Sequence, residues 1–256
     1  MILHGRGIAL ITVAAALLSA CTTPGPTGAA PPKPSPNRPA AIVYAAVGAS
    51  ESVGVGAADP TRDAWPQLLF RSALPESAVF YNFGIPGATT AQALSDELPG
   101  ALSVQPTLVT VWLNVNDIID GVSAEQYQGE LDQLVHSLRR GGAAQVLVAN
   151  SPYLDRLPVY LDCRAGSSPA GVACPPALAT TPPSALNAIV DAYNSSAAQV
   201  AQKEGGVLVD LHAQGEVPDQ HPDWVSGDGF HPSTAGYAAI ARVFALALKQ
   251  AGMVSG

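Results

Sequence analysis

The sequence predicts an α/β fold: one three-layer α/β/α sandwich around a five-stranded parallel sheet. Five short runs are almost continuously apolar, as expected for strands buried on both faces of a parallel sheet. Stretches with helical periodicity separate these runs, and such alternation predicts parallel strands joined by right-handed crossovers. Apolar residues make up 48% of the 256 residues. That supply is enough for one sizeable core.

The predicted strands are short and rich in β-branched or aliphatic residues. They are Ile42–Val47, Ala78–Tyr81, Leu108–Trp112, Gln145–Ala149 and Val207–Leu211. The predicted helices are Asp63–Ala73, Thr90–Leu102, Ala124–Arg140, Ala185–Glu204 and Ser233–Ala251. The third helix ends before Gly141-Gly142, because glycine readily adopts the backbone angles that close a helix. Five such units predict a single domain, residues 41–256, with a flavodoxin-like sheet.

One connection, residues 151–184, is long, rich in proline and without a clear period. A loop of this length in a compact domain is usually functional or tied down. We interpret it as a lid or substrate-side flap, and a passive insertion is the alternative. It contains Cys163 and Cys174, an even pair that predicts a disulfide in an oxidising compartment. Two free thiols or two metal ligands are the alternatives.

The first forty residues are predicted to lie outside the fold. Arg6 is followed by the apolar residues 8–18 and by Leu18-Ser19-Ala20 before Cys21. This apolar run is shorter than the roughly 20 residues of a membrane-spanning helix, so residues 1–20 are predicted to be an export signal. The Leu-Ser-Ala-Cys ending resembles a bacterial lipobox, which implies cleavage before Cys21 and its lipidation. Ordinary secretory cleavage is the alternative.

The segment 21–40 is predicted to be an extended tether, because it is rich in proline and almost without large apolar side chains. Together with lipidation of Cys21, it would hold the folded domain on the outer face of the bacterial cell membrane. This location predicts lipid or envelope-glycan substrates.

The charge of the chain excludes one class of partner. It has 12 Lys and Arg against 20 Asp and Glu, a formal net charge of −8, and no cluster of basic residues. Nucleic-acid binding uses a basic face, so we expect no nucleic-acid partner. The acidity mainly favours solubility. We also expect a monomer that needs no cofactor and no metal.

Polar segments follow four of the five predicted strands. Gly48-Ala49-Ser50 follows the first strand, residues 82–89 follow the second and residues 114–117 the third, while Asp228-Gly229-Phe230-His231 comes after the fifth. In open α/β sheets, ligands bind beyond the carboxyl ends of the strands. The four segments can therefore converge at one edge of the sheet.

Ser50, Asp228 and His231 are the residue types of nucleophilic catalysis. A serine hydroxyl is a weak nucleophile until a base removes its proton, and histidine is the usual base because its free pKa is about 6.5. A carboxylate must fix the tautomer of the imidazole and stabilise the imidazolium. An Asp three residues before a His, in a tight turn, can supply both partners. The sequence therefore predicts a serine hydrolase.

The four segments, in this order, resemble the conserved blocks of the SGNH/GDSL hydrolase family over about residues 42–250. The resemblance implies ester hydrolysis through an acyl-enzyme, with Ser50 as the nucleophile and Asp228 and His231 completing the triad. It also implies an oxyanion hole formed by the Ser50 N–H, the Gly87 N–H and the Asn116 side chain. Each block alone is a weak signal, whereas four blocks in order are specific.

Two positions depart from the family pattern. Ala49 stands where the family usually has Asp, and Asn114 stands where it usually has Gly. We expect different packing around the nucleophile, and changed backbone angles or a narrower site at Asn114. These departures motivate an alternative, a non-catalytic surface lipoprotein that binds glycan or lipid. An acyltransferase that uses the same triad is a further alternative.

Other residues compete for the same roles. Ser52 is an alternative nucleophile, and His221 is an alternative base, although no carboxylate stands three residues before it. His212, His221 and His231 could be metal ligands, but they lack a tight His-x-x-x-His spacing. Asn116 and Asp117 could instead be loop caps, which Asn and Asp often are.

Overall fold

A computed structural model describes residues 41–168, 174–214 and 220–254. Its five strands are β1 (Val43–Gly48), β2 (Val79–Asn82), β3 (Leu108–Trp112), β4 (Gln145–Ala149) and β5 (Val207–Val209). All neighbouring strands are parallel, in the order β2-β1-β3-β4-β5. This is the flavodoxin-like order. The predicted fold class is confirmed, whereas the predicted signal peptide, Cys21 and the tether lie outside the described residues.

The helices that follow β1 and β2 are α1 (Ser50–Val53), α2 (Pro60–Asp63), α3 (Trp65–Ala73), α4 (Thr90–Gln92) and α5 (Leu98–Ser103), with a π-helical turn at Ala93–Glu97. After β3 come α6 (Val115–Ile119), α7 (Ala124–Arg139) and a 3₁₀ turn at Arg140–Gly142. After β4 come α8 (Pro158–Arg164), α9 (Pro176–Thr180) and α10 (Pro183–Glu204). After β5 come α11 (Leu211–Gln214), a 3₁₀ turn at Pro222–Trp224 and α12 (Thr234–Gln250).

Alternate side chains of each strand enter two separate cores, because successive residues of a strand point to opposite faces. On one face, Val47 and its neighbours pack with buried residues of α7 and α10, such as Leu134. On the other face, Tyr44 packs with α3 and α12, and Trp65 stacks on Phe244 with ring centroids 4.0 Å apart. The two cores make the three layers.

Two of the predicted helices differ from the structure near a proline. The helix predicted at Asp63–Ala73 begins at Trp65 as α3, while Asp63 is the last residue of α2. Ala64 between them is extended, and Pro66 has no N–H to donate to the carbonyl four residues earlier. The helix predicted at Thr90–Leu102 contains the π-helical turn, in which the Leu98 N–H bonds the Ala93 carbonyl. The next residue, Pro99, cannot donate a bond. These local changes were missed by periodicity alone.

The last predicted strand is also too long. It was predicted to run to Leu211, but β5 ends at Val209 and Leu211 begins α11. Pairing with β4 fixes this end, since the last matched pair is Ala149 with Val209. An apolar run cannot distinguish the end of a strand from a buried residue that follows it.

The long connection is partly helical. Helices α8 and α9 lie within residues 151–184, and the predicted disulfide between Cys163 and Cys174 is confirmed, with Cα atoms 5.5 Å apart. The Val159 N–H of α8 donates to the carbonyl of Gly229 at 3.0 Å, so the connection contacts the Asp-x-x-His segment. Within the described ranges, no helix combines the length and the apolar character needed to cross a membrane.

Candidate active site

Ser50 is the first residue of α1, two residues beyond the end of β1. The turn from strand to helix is tight because Gly48 has no side chain: a Cβ there would lie 2.3 Å from Ser52 Oγ and 2.8 Å from the Trp112 carbonyl. The Ser50 carbonyl accepts the N–H groups of Gly54 and Val55. Ser50 is thus held at the carboxyl edge of the sheet, with a mostly buried side chain.

Asp228 and His231 form one rigid turn before α12. His231 Nδ1 lies 2.6 Å from Asp228 Oδ2, while Asp228 Oδ1 accepts the Ser226 hydroxyl and the backbone N–H groups of Phe230 and His231 at 2.7–2.9 Å. Burial opposes the charge of Asp228, but these hydrogen bonds outweigh it and lower its pKa to about 2. The turn therefore presents an ionised carboxylate to the imidazole at neutral pH.

Glycine at position 56 lets the Ser50 segment pack against this turn. A Cβ on Gly56, whose φ is +94°, would lie 2.6 Å from the Pro232 carbonyl and 3.0 Å from His231 Cβ. On the same segment, the Val55 carbonyl accepts the Tyr237 hydroxyl at 2.6 Å. Two segments more than 170 positions apart are thereby joined at one edge of the sheet.

The hydroxyl of Ser50 is hydrogen-bonded to the side chain of Glu51 in this conformation. Ser50 Oγ donates to Glu51 Oε2 at 3.4 Å, and within the described residues it makes no hydrogen bond to the ring of His231. Hydrogen bonds between catalytic groups are often long or absent without substrate. The Ser50 hydroxyl must leave Glu51 before it can donate to His231.

Glu51 was missed in the sequence, where only its neighbours were considered. Burial raises the pKa of Glu51. Its own backbone N–H, the nearby charge of His231 and the Ser50 hydroxyl act in the opposite direction, but burial has the larger effect. The signal that could have found it is a carboxyl directly after the nucleophile, within a segment that is otherwise small and apolar.

Gly87 and Asn116 are brought together by the loops after β2 and β3. Asn116 Nδ2 donates to the Ala88 carbonyl at 2.9 Å, and the amide has a second N–H. Gly87 is exposed, with φ +83° and open space around its Cα. Asp117 fixes the two loops by accepting the Thr90 N–H at 3.0 Å. Gly87 and Asn116, two of the three donors predicted for the oxyanion hole, therefore lie close together.

Behind the nucleophile lies a second carboxyl that the sequence did not reveal. Glu97, on the π-helical turn, accepts the Gly48 N–H at 2.8 Å and is 1% exposed. Burial raises its pKa to about 8, although hydrogen bonds from the Gly48 and Ile85 N–H groups act in the opposite direction. No periodicity argument could place it, since the π-helical turn shifts the face on which it lies.

The two departures from the family pattern have different structural consequences. Ala49 is buried in the core. Asn114 has φ −179° and ψ −41°, and its side chain is only 4% exposed. Because this side chain is buried in the protein, it does not project into an open site to narrow it, while the expected change of the backbone angles stays a prediction.

The alternative residues lie in other surroundings. Ser52 is fully buried, so a substrate cannot reach its hydroxyl in this conformation. His221 stacks on Trp224 with ring centroids 4.1 Å apart, and His212 stacks on Tyr153 at 3.9 Å. Within residues 41–168, 174–214 and 220–254, no three His, Cys, Asp or Glu side chains are grouped as metal ligands would be.

Solved structures have the same fold. TesA is 24% identical, with a TM-score of 0.60 over 81% of this chain and 98% of that one. A lipase/acylhydrolase from Enterococcus faecalis is 19% identical, with a TM-score of 0.61 over 84% and 97% of the two chains. Phospholipase A1 from Streptomyces albidoflavus NA297 is 20% identical, with a TM-score of 0.57 over 82% and 99%. No curated protein sequence matches the chain.

The sequence profile of the GDSL-like lipase/acylhydrolase family matches residues 46–239, about three quarters of the chain. The matched region begins in β1, before Ser50, and ends within α12, after His231. It therefore includes all four polar segments at the edge of the sheet. The chain belongs to the GDSL-like lipase/acylhydrolase family, and it is a hydrolase.

Proposed function

We propose that the protein hydrolyses carboxylic esters through an acyl-enzyme formed on Ser50, with His231 as the base and Asp228 as its carboxylate partner. The bond between Asp228 Oδ2 and His231 Nδ1 carries this proposal. It fixes the proton on Nδ1 and leaves Nε2 to accept a proton from a hydroxyl. The contact between Gly56 and the His231 turn supports the pairing with Ser50.

In the first half of the reaction, Ser50 Oγ attacks the ester carbonyl as its proton passes to His231 Nε2. The oxyanion accepts hydrogen bonds from the N–H groups of Ser50 and Gly87 and from the second amide N–H of Asn116. The bond to the alkoxy oxygen then breaks, and His231 returns the proton to that oxygen. An alcohol leaves and the acyl group stays on Ser50.

In the second half, a water molecule takes the place of the alcohol. His231 removes its proton, the water oxygen attacks the acyl carbon, and the same donors hold the oxyanion. The bond to Ser50 Oγ breaks, the proton returns to Ser50, and a carboxylic acid leaves. If a sugar hydroxyl replaced water in this step, the same acyl-enzyme would transfer its acyl group instead.

A fluorophosphonate probe tests the assignment, because it labels activated serines. We expect the protein to be labelled, Ser50→Ala to abolish labelling, and the matched control Ser52→Ala to retain it, since Ser52 is fully buried. Labelling that persists in Ser50→Ala would refute the assignment. A protein that is never labelled and does not hydrolyse short p-nitrophenyl esters would favour the non-catalytic binder.

We further propose that the mature protein begins at a lipidated Cys21 and acts as a monomer on the outer face of the bacterial membrane, on lipid acyl or O-acetyl glycan esters. The lipobox-like ending and the proline-rich segment support this location, and the disulfide between Cys163 and Cys174 fits an oxidising compartment. In a bacterial host, labelled palmitate should be incorporated into the wild type and not into Cys21→Ser. Equal incorporation would refute lipidation at Cys21.

A further inference from the structure

Several parts of the chain line a cavity of about 140 Å³ beside the candidate active site. Trp112 comes from the end of β3 and Tyr153 from the loop after β4, while the segment around the Asp-x-x-His turn contributes Trp224 and Phe230, and α12 contributes Ala239. An apolar cavity of about 150 Å³ in another protein holds a benzene molecule. This cavity therefore has room for one group the size of a six-carbon ring.

The walls of the cavity select a neutral, apolar occupant. Among the lining residues that the structure describes, only Glu51 carries a carboxyl, an amide or a basic group; the others are aliphatic, aromatic, proline or glycine. Because burial raises the pKa of Glu51, this carboxyl is displaced towards its neutral form. An apolar group would leave water on entering the cavity, which favours binding.

The cavity adjoins both reacting side chains. Glu51, in its wall, accepts a hydrogen bond from the hydroxyl of Ser50. Phe230, also in its wall, makes an edge contact with the His231 ring at a centroid distance of 4.8 Å, and Pro232 lines the cavity on the other side of His231 in sequence. Neither Gly87 nor Asn116 lines it. Although Val115, the neighbour of Asn116 on α6, also lines it, the cavity lies mainly on the imidazole side of the site.

This position assigns the cavity to one half of the substrate. In the tetrahedral intermediate, the oxyanion faces Gly87 and Asn116, while the oxygen of the leaving alcohol must face His231 to receive its proton. We propose that the cavity binds the alcohol part of the ester, and that the substrates are esters of a compact, neutral, apolar alcohol of about six or seven carbon atoms. This inference rests on the proposed function, since it needs the acyl-enzyme on Ser50.

Two isomeric esters test whether the cavity binds the alcohol part or the acyl part of the substrate. Benzyl acetate carries its phenyl ring on the alcohol, and methyl phenylacetate carries the ring on the acyl group. With kcat/KM normalised to the alkaline hydrolysis rate of each ester, we expect the wild type to prefer benzyl acetate by about tenfold or more, as burial of one aromatic group warrants. Equal values, or a preference for methyl phenylacetate, would overturn the proposal.

A filled cavity provides the matched comparison. Ala239→Leu adds three carbon atoms to the cavity wall, and Ala239→Val is a smaller change for the case that leucine disturbs folding. Ala238→Leu is the control, because Ala238 precedes Ala239 on α12 but does not line the cavity. The preference for benzyl acetate should disappear in the Ala239 variants and persist in Ala238→Leu. If it persists in both folded Ala239 variants, the cavity does not bind the alcohol.

Binding without catalysis separates this inference from the proposed function. Trp112 and Trp224, two of the three tryptophans, line the cavity. Benzyl alcohol added to the Ser50→Ala protein should therefore cause a saturable change in the tryptophan fluorescence. The change should persist when Ala238→Leu is added to this variant and disappear when Ala239→Leu is added. Absence of a saturable change overturns the inference. Saturable binding together with no hydrolysis of either ester would instead refute the proposed function.

Discussion

Glu97 accepts a hydrogen bond from the backbone N–H of Gly48 at 2.8 Å, although 49 positions separate the two residues. The contact ties the π-helical turn to the end of β1, directly behind the nucleophile. Glu97 is buried, and its pKa is raised to about 8. A carboxyl that is neutral near pH 7 thus supports the turn that carries Ser50.

The first prediction concerns Glu97 and the pH dependence of stability. Because the folded protein holds this proton more tightly than the unfolded chain, whose Glu pKa is near 4.5, the stabilisation is complete below about pH 4.5 and is lost as pH rises through about 8. Between pH 5 and pH 8.5, the free energy of unfolding of wild type should fall by about 1–3 kcal/mol more than that of Glu97→Gln.

Urea denaturation at a series of pH values measures this difference. Glu76→Gln, at an exposed carboxyl, is the control and should follow the wild type. If Glu97→Gln has the same pH dependence as wild type, Glu97 does not hold its proton in the folded protein.

The second prediction concerns the partner of the imidazole. Asp228→Asn should lower kcat on a short p-nitrophenyl ester by about 10³–10⁴-fold, because an amide favours the wrong tautomer of His231. Asp223→Asn, an exposed side chain in the same loop, is the matched control and should retain activity. A loss of less than tenfold in Asp228→Asn would contradict the role proposed for this carboxylate.

The third prediction uses two glycines with positive φ. A Cβ at Gly56 would collide with the Pro232 carbonyl and press on His231 Cβ, whereas a Cβ at Gly121, with φ +73°, meets nothing within 4 Å. Both alanine variants should lose about 1–2 kcal/mol of stability through backbone strain. Only Gly56→Ala should also lower kcat/KM, by about 10²-fold, since a small displacement of a catalytic group is costly. Equal activities of the two variants would contradict this.

The fourth prediction concerns the oxyanion. Asn116→Ala should lower kcat by about 10²–10³-fold with little change in KM, because the lost hydrogen bond forms only as charge develops on the carbonyl oxygen. Asp120→Ala, exposed just beyond the end of the same helix α6, is the control. Steady-state kinetics decide: a rise in KM without a fall in kcat would mean that Asn116 binds the substrate instead.

The fifth prediction concerns the disulfide. Cys163 and Cys174 are 11 positions apart, and closing a loop of that length stabilises a protein by roughly 2–3 kcal/mol in the chain-entropy model. Urea denaturation of wild type should therefore shift to lower concentration with reductant. The double variant Cys163→Ser/Cys174→Ser should be as stable as the reduced wild type, and reductant should not change its stability. A variant as stable as the oxidised wild type would show that the bridge contributes nothing.

The sequence by itself was sufficient for the fold class and for the bounds of β3 and β4. Strands buried on both faces leave a continuous apolar run, which can be read without knowing the neighbours. The disulfide pairing was also predictable, since Cys163 and Cys174 are the two cysteines of the predicted domain, residues 41–256, and leave a single pairing. The prediction of helix bounds failed near a proline, as at Pro66, because the spacing of apolar residues does not reveal a missing backbone N–H.

The types of residue in the candidate site were readable in the same way, since Ser50, Asp228 and His231 occupy short segments with a recognisable order. Only the tertiary structure decided what surrounds them. Glu97 accepts a hydrogen bond from the Gly48 N–H, and Glu51 accepts one from the Ser50 hydroxyl. Gly56, which has no side chain, allows the His231 turn to pack closely against it. Two of these three contacts join segments far apart in sequence, and the third depends on a side-chain conformation. A local sequence pattern determines neither which distant segments come into contact nor which conformation a side chain adopts. These contacts are therefore decided only in the folded structure.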